Sequence, residues 1–99
     1  MKFCSLYSGS SGNSIFIASD NAKVLIDAGL AGKKIDDALK HIGEESSSID
    51  GIFITHEHID HIKGVGVLSR KYDIPIYAND NTWAVMEKNI GKIKEHNIR

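Results

Sequence analysis

The chain has 99 residues, enough for one domain at most, and its 41% hydrophobic and 25% charged residues are the balance of an ordinary soluble globular protein. Twelve basic residues against 13 acidic ones leave a net charge of −1, which excludes bulk electrostatic attraction to nucleic acid and leaves only a local basic face open. A single cysteine, Cys4, excludes an intramolecular disulfide and a thiolate metal cluster, and no stretch approaches the ~20 apolar residues of a membrane span. With no long apolar run at its start either, the chain is expected in the cytoplasm, with no membrane partner.

Residues 2–7 alternate Phe3, Ser5 and Tyr7 against Cys4 and Leu6, which predicts a first strand with Cys4 as a small buried residue. The stretch Ser8, Gly9, Ser10, Ser11, Gly12, Asn13 and Ser14 is built of residues that accept tight turns. Such a loop can expose a nest of backbone N–H groups that holds an anion, or it can be a plain hairpin connection. It lacks the Lys and following helix of a Walker A motif and the Gly-x-Ser-x-Gly spacing of a serine hydrolase, so the two readings stay open.

Two short apolar runs follow, residues 14–19 around Ile15, Phe16 and Ile17, and residues 23–28 around Val24, Leu25 and Ile26. Asp20 and Asn21 read as the hairpin turn between these core strands. Asp27 closes the second run. A carboxylate at the end of a buried strand needs partners, and backbone N–H groups or a histidine ring could serve; it could equally begin a turn at Ala28–Gly29.

Ile35, Ala38, Leu39 and Ile42 recur at the spacing of an amphipathic helix over residues 33–42, with His41 on its polar side and Gly43 as its stop. A Ser-rich connector leads to residues 51–55, where Ile52, Phe53 and Ile54 read as a strand buried on both faces.

The segment Thr55-His56-Glu57-His58-Ile59-Asp60-His61 then places three of the five histidines and an aspartate within six residues. Imidazole and carboxylate are the donors a divalent transition metal prefers, and crowding them is unfavourable unless a cation lies between them. In an extended segment residues two apart share a side, so His56 and His58 can hold one ion, while a turn from Asp60 aims Asp60 and His61 at a second. No two histidines are four apart, which excludes the helical zinc-protease motif, and Glu57 points away from the ligands. A surface loop or a tag is the plain alternative, but a tag is homopolymeric and terminal, and this segment is neither.

Beyond it, Ile62, Val65, Leu68 and Tyr72 have helical spacing, so a helix is expected to start near the ligands. Residues 74–78 read as a strand with Pro75 at its start, Asn79-Asp80-Asn81 as a cap for a helix carrying Trp83, Val85, Met86 and Ile90, and residues 91–99 as a polar tail.

The His-x-His-x-Asp-His pattern of His56, His58, Asp60 and His61, the strand ending in Asp27, and the Ser8–Ser14 turn together resemble the metallo-β-lactamase-fold hydrolases, and within them the YycJ (WalJ)-like branch. The resemblance implies an α/β (α+β) fold, a mixed sheet flanked by helices, forming the N-terminal half of an αβ/βα sandwich. On this reading residues 1–99 are an incomplete domain, inert alone, whose uncovered apolar surface invites self-association. It also implies two divalent metal ions, zinc with manganese or iron as the alternatives, held by His56, His58, Asp60 and His61 with Asp27 behind them. Further ligands come from downstream, and the tail residue His96 is not expected to be one of them.

The resemblance puts Ser8, Gly9, Ser10, Ser11, Gly12 and Asn13 near substrate, and Asp60 where it can take a proton from a bridging water or steer a leaving group. The implied reaction is exonuclease-type hydrolysis of DNA phosphodiesters, with Lys33, Lys34, Lys63, Arg70 and Lys71 as a local phosphate face or as ordinary surface. The alternatives are a hydrolase of small esters, thioesters or lactams, a non-catalytic metal-binding or assembly module, and an anion-binding domain whose histidines are incidental.

Overall fold

Alternation at period two, carried across five strands in register, decides which side of the sheet is the core. The computed structural model describes residues 1–8 and 12–99 and contains strands β1 (Lys2–Tyr7), β2 (Ser14–Ala18), β3 (Lys23–Ile26), β4 (Gly51–Phe53) and β5 (Ile76–Tyr77). They form one sheet in sequence order, antiparallel from β1 to β3 and parallel from β3 to β5. The pairing aligns Cys4, Phe16, Leu25, Ile52 and Ile76 in one row across the whole sheet. All but Cys4, which is half-buried, are completely buried, and each such side chain contributes about 1.5–3 kcal/mol by leaving water.

The helices that cover this row are α1 (Gly32–His41), α2 (Ile59–Ile62), α3 (Val65–Tyr72) and α4 (Asp80–Met86). Helix α1 buries Ile35 and Leu39, and α3 buries Val65 and Leu68, so the predicted stripes face the core. Gly43 ends α1 in the left-handed region at φ 79°, and the Asn79 side chain caps α4 by accepting from Thr82 N at 2.8 Å. The result is the expected mixed sheet with helices, an α+β arrangement.

Three expectations are corrected. Residues 52–54 are not buried on both faces. Phe53 is 41% exposed and stacks on Tyr77 with ring centroids 4.5 Å apart, because it lies in the outer row with Ile15 and Ile26, which no described helix covers. The helix after His61 is broken in two. Gly64 N donates to Ala28 O at 2.7 Å, and a Cβ on Gly64 would stand 2.2 Å from Leu30 O, so the chain turns where this close approach occurs. Helix α4 stops at Met86, leaving Val85 exposed and Ile90 buried beyond the helix.

Residues 91–99, expected to be a polar tail, are docked. Asn97 is buried, Ile98 bridges Ile76 in parallel, Arg99 N donates to Ile76 O, and Trp83 Nε1 donates to Arg99 O. Asp73, at the left-handed end of α3, takes both His96 Nε2 and Asn97 Nδ2 at 2.8 Å. The His96 bond, then Asn97, holds the Asp73 carboxyl below its ordinary value.

Asp36 ties α1 to its neighbours, accepting from Ser46 Oγ in the following 3-10 turn and from Tyr72 Oη at the end of α3. These bonds, Ser46 first, hold its carboxyl below the ordinary 3.8 against the opposing effect of burial. A folded-state pKa below the unfolded one contributes stability that is present at neutral pH and is lost as pH falls through the folded value. Asp36→Asn is therefore expected to lower unfolding stability by about 1–2 kcal/mol at pH 7. In urea titrations at stepped pH the gap from the parent chain should close below 3.8; a gap independent of pH would show that the charge is not what holds α1.

Candidate metal centre

The site is built where the two parallel strands β3 and β4 end side by side. Asp27 follows β3 in the left-handed region at φ 64°, a conformation Asp tolerates better than most side chains. Its N–H continues the ladder to Phe53 O at 2.7 Å and its carbonyl accepts from Ser14 Oγ at 2.8 Å. The backbone is thus pinned on both sides while the carboxylate swings beneath the loop that leaves β4.

That carboxylate is 7% exposed and takes three donors from the loop. Thr55 N donates to Oδ1 at 2.8 Å, Thr55 Oγ1 donates to Oδ2 at 2.6 Å, and His61 Nδ1 donates to Oδ2 at 2.7 Å. Ala28 N adds a bond to His61 O at 2.9 Å, so residues 27 and 28 grip the first and last residues of the motif together.

The bonding pattern sets the histidine tautomers. A carboxylate only accepts, so His61 carries its hydrogen on Nδ1 and keeps the Nε2 lone pair. The Thr55 hydroxyl hydrogen is spent on Asp27, so toward His56 Nδ1, 3.0 Å away, the hydroxyl oxygen accepts, and His56 also keeps its Nε2 lone pair. One buried carboxylate therefore prepares two imidazoles as donors, the second through a hydroxyl.

Asp60 stands in the first turn of α2, its Oδ2 3.5 Å from His61 Nε2. Donors bound at ~2.0–2.2 Å to a tetrahedral ion lie about 3.4 Å apart, so this pair matches the bite of one divalent cation. His56 lies 4.9 Å from the His61 ring and 6.1 Å from the His58 ring, centroid to centroid, so it is nearer His61 than its predicted partner. Among the described residues no three His, Cys, Asp or Glu side chains converge on one point. The donor types suit a divalent cation, and the Asp60–His61 pair has the spacing of two donors to one ion.

Of the Ser8–Ser14 loop, Gly9, Ser10 and Ser11 lie outside the described residues, and Ser8 is exposed. Gly12 is buried against Leu30, while Asn13 reaches the motif, its Nδ2 donating to Asp60 O and to Asp60 Oδ2, both at 3.2 Å. Gly29 makes this meeting feasible. A Cβ there would stand 1.8 Å from Asp60 O.

Of the basic residues, Lys33 and Lys71 line one surface cleft together with Lys40, Asp36 and Asp37, Lys71 also lies over the Tyr72 ring, and Arg70 spends its guanidinium on Ile90 O and Lys92 O. His96 is bonded to Asp73. Thr55 is the contributor that motif reading passed over; its position directly before the first histidine was the available signal.

Asp27→Asn replaces an acceptor by an amide donor facing Thr55 Oγ1 and His61 Nδ1. The expected result is a stability loss of about 2 kcal/mol in urea unfolding, with faster amide exchange concentrated in residues 55–61. A stability loss with unchanged exchange in that loop would mean that the carboxylate supports the core and not the motif.

The model of the metallo-beta-lactamase superfamily matches residues 7–98. The chain is 50% identical over 93 residues to exodeoxyribonuclease YycJ of Bacillus anthracis, covering 94% of this chain and 35% of that protein. It is 52% identical over 94 residues to exodeoxyribonuclease WalJ of Streptococcus pneumoniae serotype 2 (strain D39), covering 93% and 35%. Among solved structures, the Rm3 metallo-beta-lactamase superposes with a TM-score of 0.72 at 27% identity over 83% of this chain and 31% of that one. The chain thus spans about a third of the length of the curated relatives it matches. Because the family model matches residues 7–98, nearly the whole chain, this chain belongs to the metallo-β-lactamase superfamily.

Proposed function

We propose that the chain forms the metal-gathering front of a hydrolase that cleaves DNA phosphodiesters from an end. The observation that carries the reading is the Asp27-gripped loop, which leaves the Nε2 lone pairs of His56 and His61 available and sets Asp60 Oδ2 3.5 Å from His61 Nε2. Similarity supports nuclease over lactam chemistry, since the two exodeoxyribonucleases are about half identical to this chain and the Rm3 lactamase 27%.

In this reading His56 and His58 contribute donors to one divalent ion and Asp60 and His61 to a second, with zinc favoured by the donor types and manganese or iron as alternatives. A bound ion pair supplies a water of lowered pKa and neutralises charge that develops on the phosphate. Asp27 keeps the imidazoles of His56 and His61 in the required tautomer, directly and through Thr55, and on this reading the Asp60 carboxylate is the group that would accept a proton from the attacking water. Two donors per ion are short of a catalytic set, and the relatives are about three times as long. We therefore read these 99 residues as the N-terminal part of one such domain, working in the cytoplasm and inert alone.

The test is cobalt or zinc titration and hydrolysis of end-labelled DNA, performed on this chain and on a natural protein of the relatives' length that contains it. His61→Ala and His58→Ala are expected to weaken cation uptake at least about tenfold in both, and metal-dependent DNA loss is expected only from the longer protein. Unchanged uptake in both variants would overturn the metal reading; uptake without DNA hydrolysis by the longer protein would overturn the substrate.

The outer sheet face supports one further expectation. Phe3 is 68% exposed and Phe53 41%, and in the same rows lie the half-buried Ile15, Ile17, Val24, Ile26 and Tyr77, a contiguous apolar face. Sedimentation of the chain at rising concentration is expected to show self-association that Phe53→Lys reduces. Association that is indifferent to Phe53→Lys would place the contact elsewhere.

A further inference from the structure

Asn13 lies at the end of the glycine-rich turn, 47 residues from Asp60 in sequence, and its carboxamide touches that residue twice. One amide nitrogen carries two hydrogens, and here Nδ2 faces two acceptors, the Asp60 carbonyl and Asp60 Oδ2, both at 3.2 Å. Neither end of this contact is free to drift. Gly29 N donates to Asn13 O at 2.9 Å, the next residue, Ser14, donates its hydroxyl to Asp27 O, and Gly29, lacking a Cβ, lets the Asp60 carbonyl approach the same backbone. Asn13, just before β2, and Asp27, just after β3, thus stand at neighbouring ends of two paired strands, Asp27 bonded to Thr55 and His61 and Asn13 to Asp60.

The Asp60 carboxylate rotates about a soft terminal torsion, so its backbone position alone does not aim it. A hydrogen bond to Oδ2 restrains that rotation, and it falls on the same oxygen that lies 3.5 Å from His61 Nε2. The amide hydrogens of Asn13 are thus turned onto Asp60, which separates this residue from the rest of the turn as a candidate for substrate contact.

We propose that Asn13 is a positioning residue for cation binding: its amide fixes the rotation of the Asp60 carboxylate so that Oδ2 and His61 Nε2 present one preformed pair of donors. This rests on the metal reading above, and the proposed effect on the cation runs through Asp60. Removing the amide leaves the donors in place but lets the carboxylate turn, so affinity falls without loss of a ligand.

A double-mutant cycle on this chain tests it, with cobalt(II) as the probe. Affinity is measured by competition with a chromophoric chelator, the cobalt visible spectrum reports coordination, and thermal melts of the metal-free proteins report folding. Asn13→Ala is expected to weaken cobalt binding about tenfold and to alter the cobalt spectrum, and to have no effect on affinity once Asp60→Ala is present. Asn13→Leu, of nearly the same shape but with no polar hydrogen for Asp60, keeps the test alive if the alanine variant folds poorly; it is expected to weaken binding as the alanine variant does. An equal effect of Asn13→Ala with and without Asp60 would show a merely structural role and overturn the proposal. So would unchanged affinity in Asn13→Ala and Asn13→Leu alongside weakened binding in Asp60→Ala. If Asp60→Ala itself binds cobalt as the parent does, the metal reading falls and the proposal with it.

Discussion

The carboxylate of Asp27 is the interaction on which the rest of the site depends. A carboxylate that is 7% exposed is unfavourable unless its oxygens are fully used, and a non-glycine residue at positive φ adds strain of about 1–3 kcal/mol. Both costs are offset by the same three donors, two from Thr55 and one from His61. Because those donors come from opposite ends of the motif, satisfying one buried charge also folds the histidine loop. Stability and site geometry are here a single set of hydrogen bonds.

The sheet makes this feasible. Strands β3 and β4 run parallel, so their C-terminal ends meet at one edge, with Asp27 at the end of the first and Thr55 just past the end of the second. The row from Phe16 to Ile76 anchors both strands beneath the helices, and the short α2 turns back at once over the site. The break at Gly64 belongs to the same construction. At the break Gly64 N bonds Ala28 O beside the Asp27 turn, an approach so close that a Cβ on residue 64 would stand 2.2 Å from Leu30 O.

Asn13, Thr55 and Asp27 share a physical role without sharing chemistry. Each spends its polar group on a residue of the motif, the amide on Asp60, the hydroxyl between Asp27 and His56, and the carboxylate on His61. Rings and carboxylates held this way have little rotational freedom left to lose, so a ligand that uses their free lone pairs would meet a set of groups already aimed.

Much of this molecule is local and was therefore legible in the amino-acid sequence. Alternation identified β1 and short apolar runs bounded by turn residues identified the later strands, the Ile35–Leu39 stripe identified α1, Asn79 marked the start of α4, and the spacing of His56, His58, Asp60 and His61 pointed to a divalent-cation motif with no reference to the rest of the chain. The family resemblance rested on the same short-range patterns. What only the tertiary structure decided is non-local. Phe53 differs from Ile52 in burial solely because helices cover one face of the sheet; residues 95–99 dock because Asp73, Ile76 and Trp83 wait for them. The links from Asn13 to Asp60 and from Asp27 to His61 span 47 and 34 residues, and no periodicity encodes a contact of that separation. Residue types supplied the donors; the crossing of two strand ends determined how they are aimed.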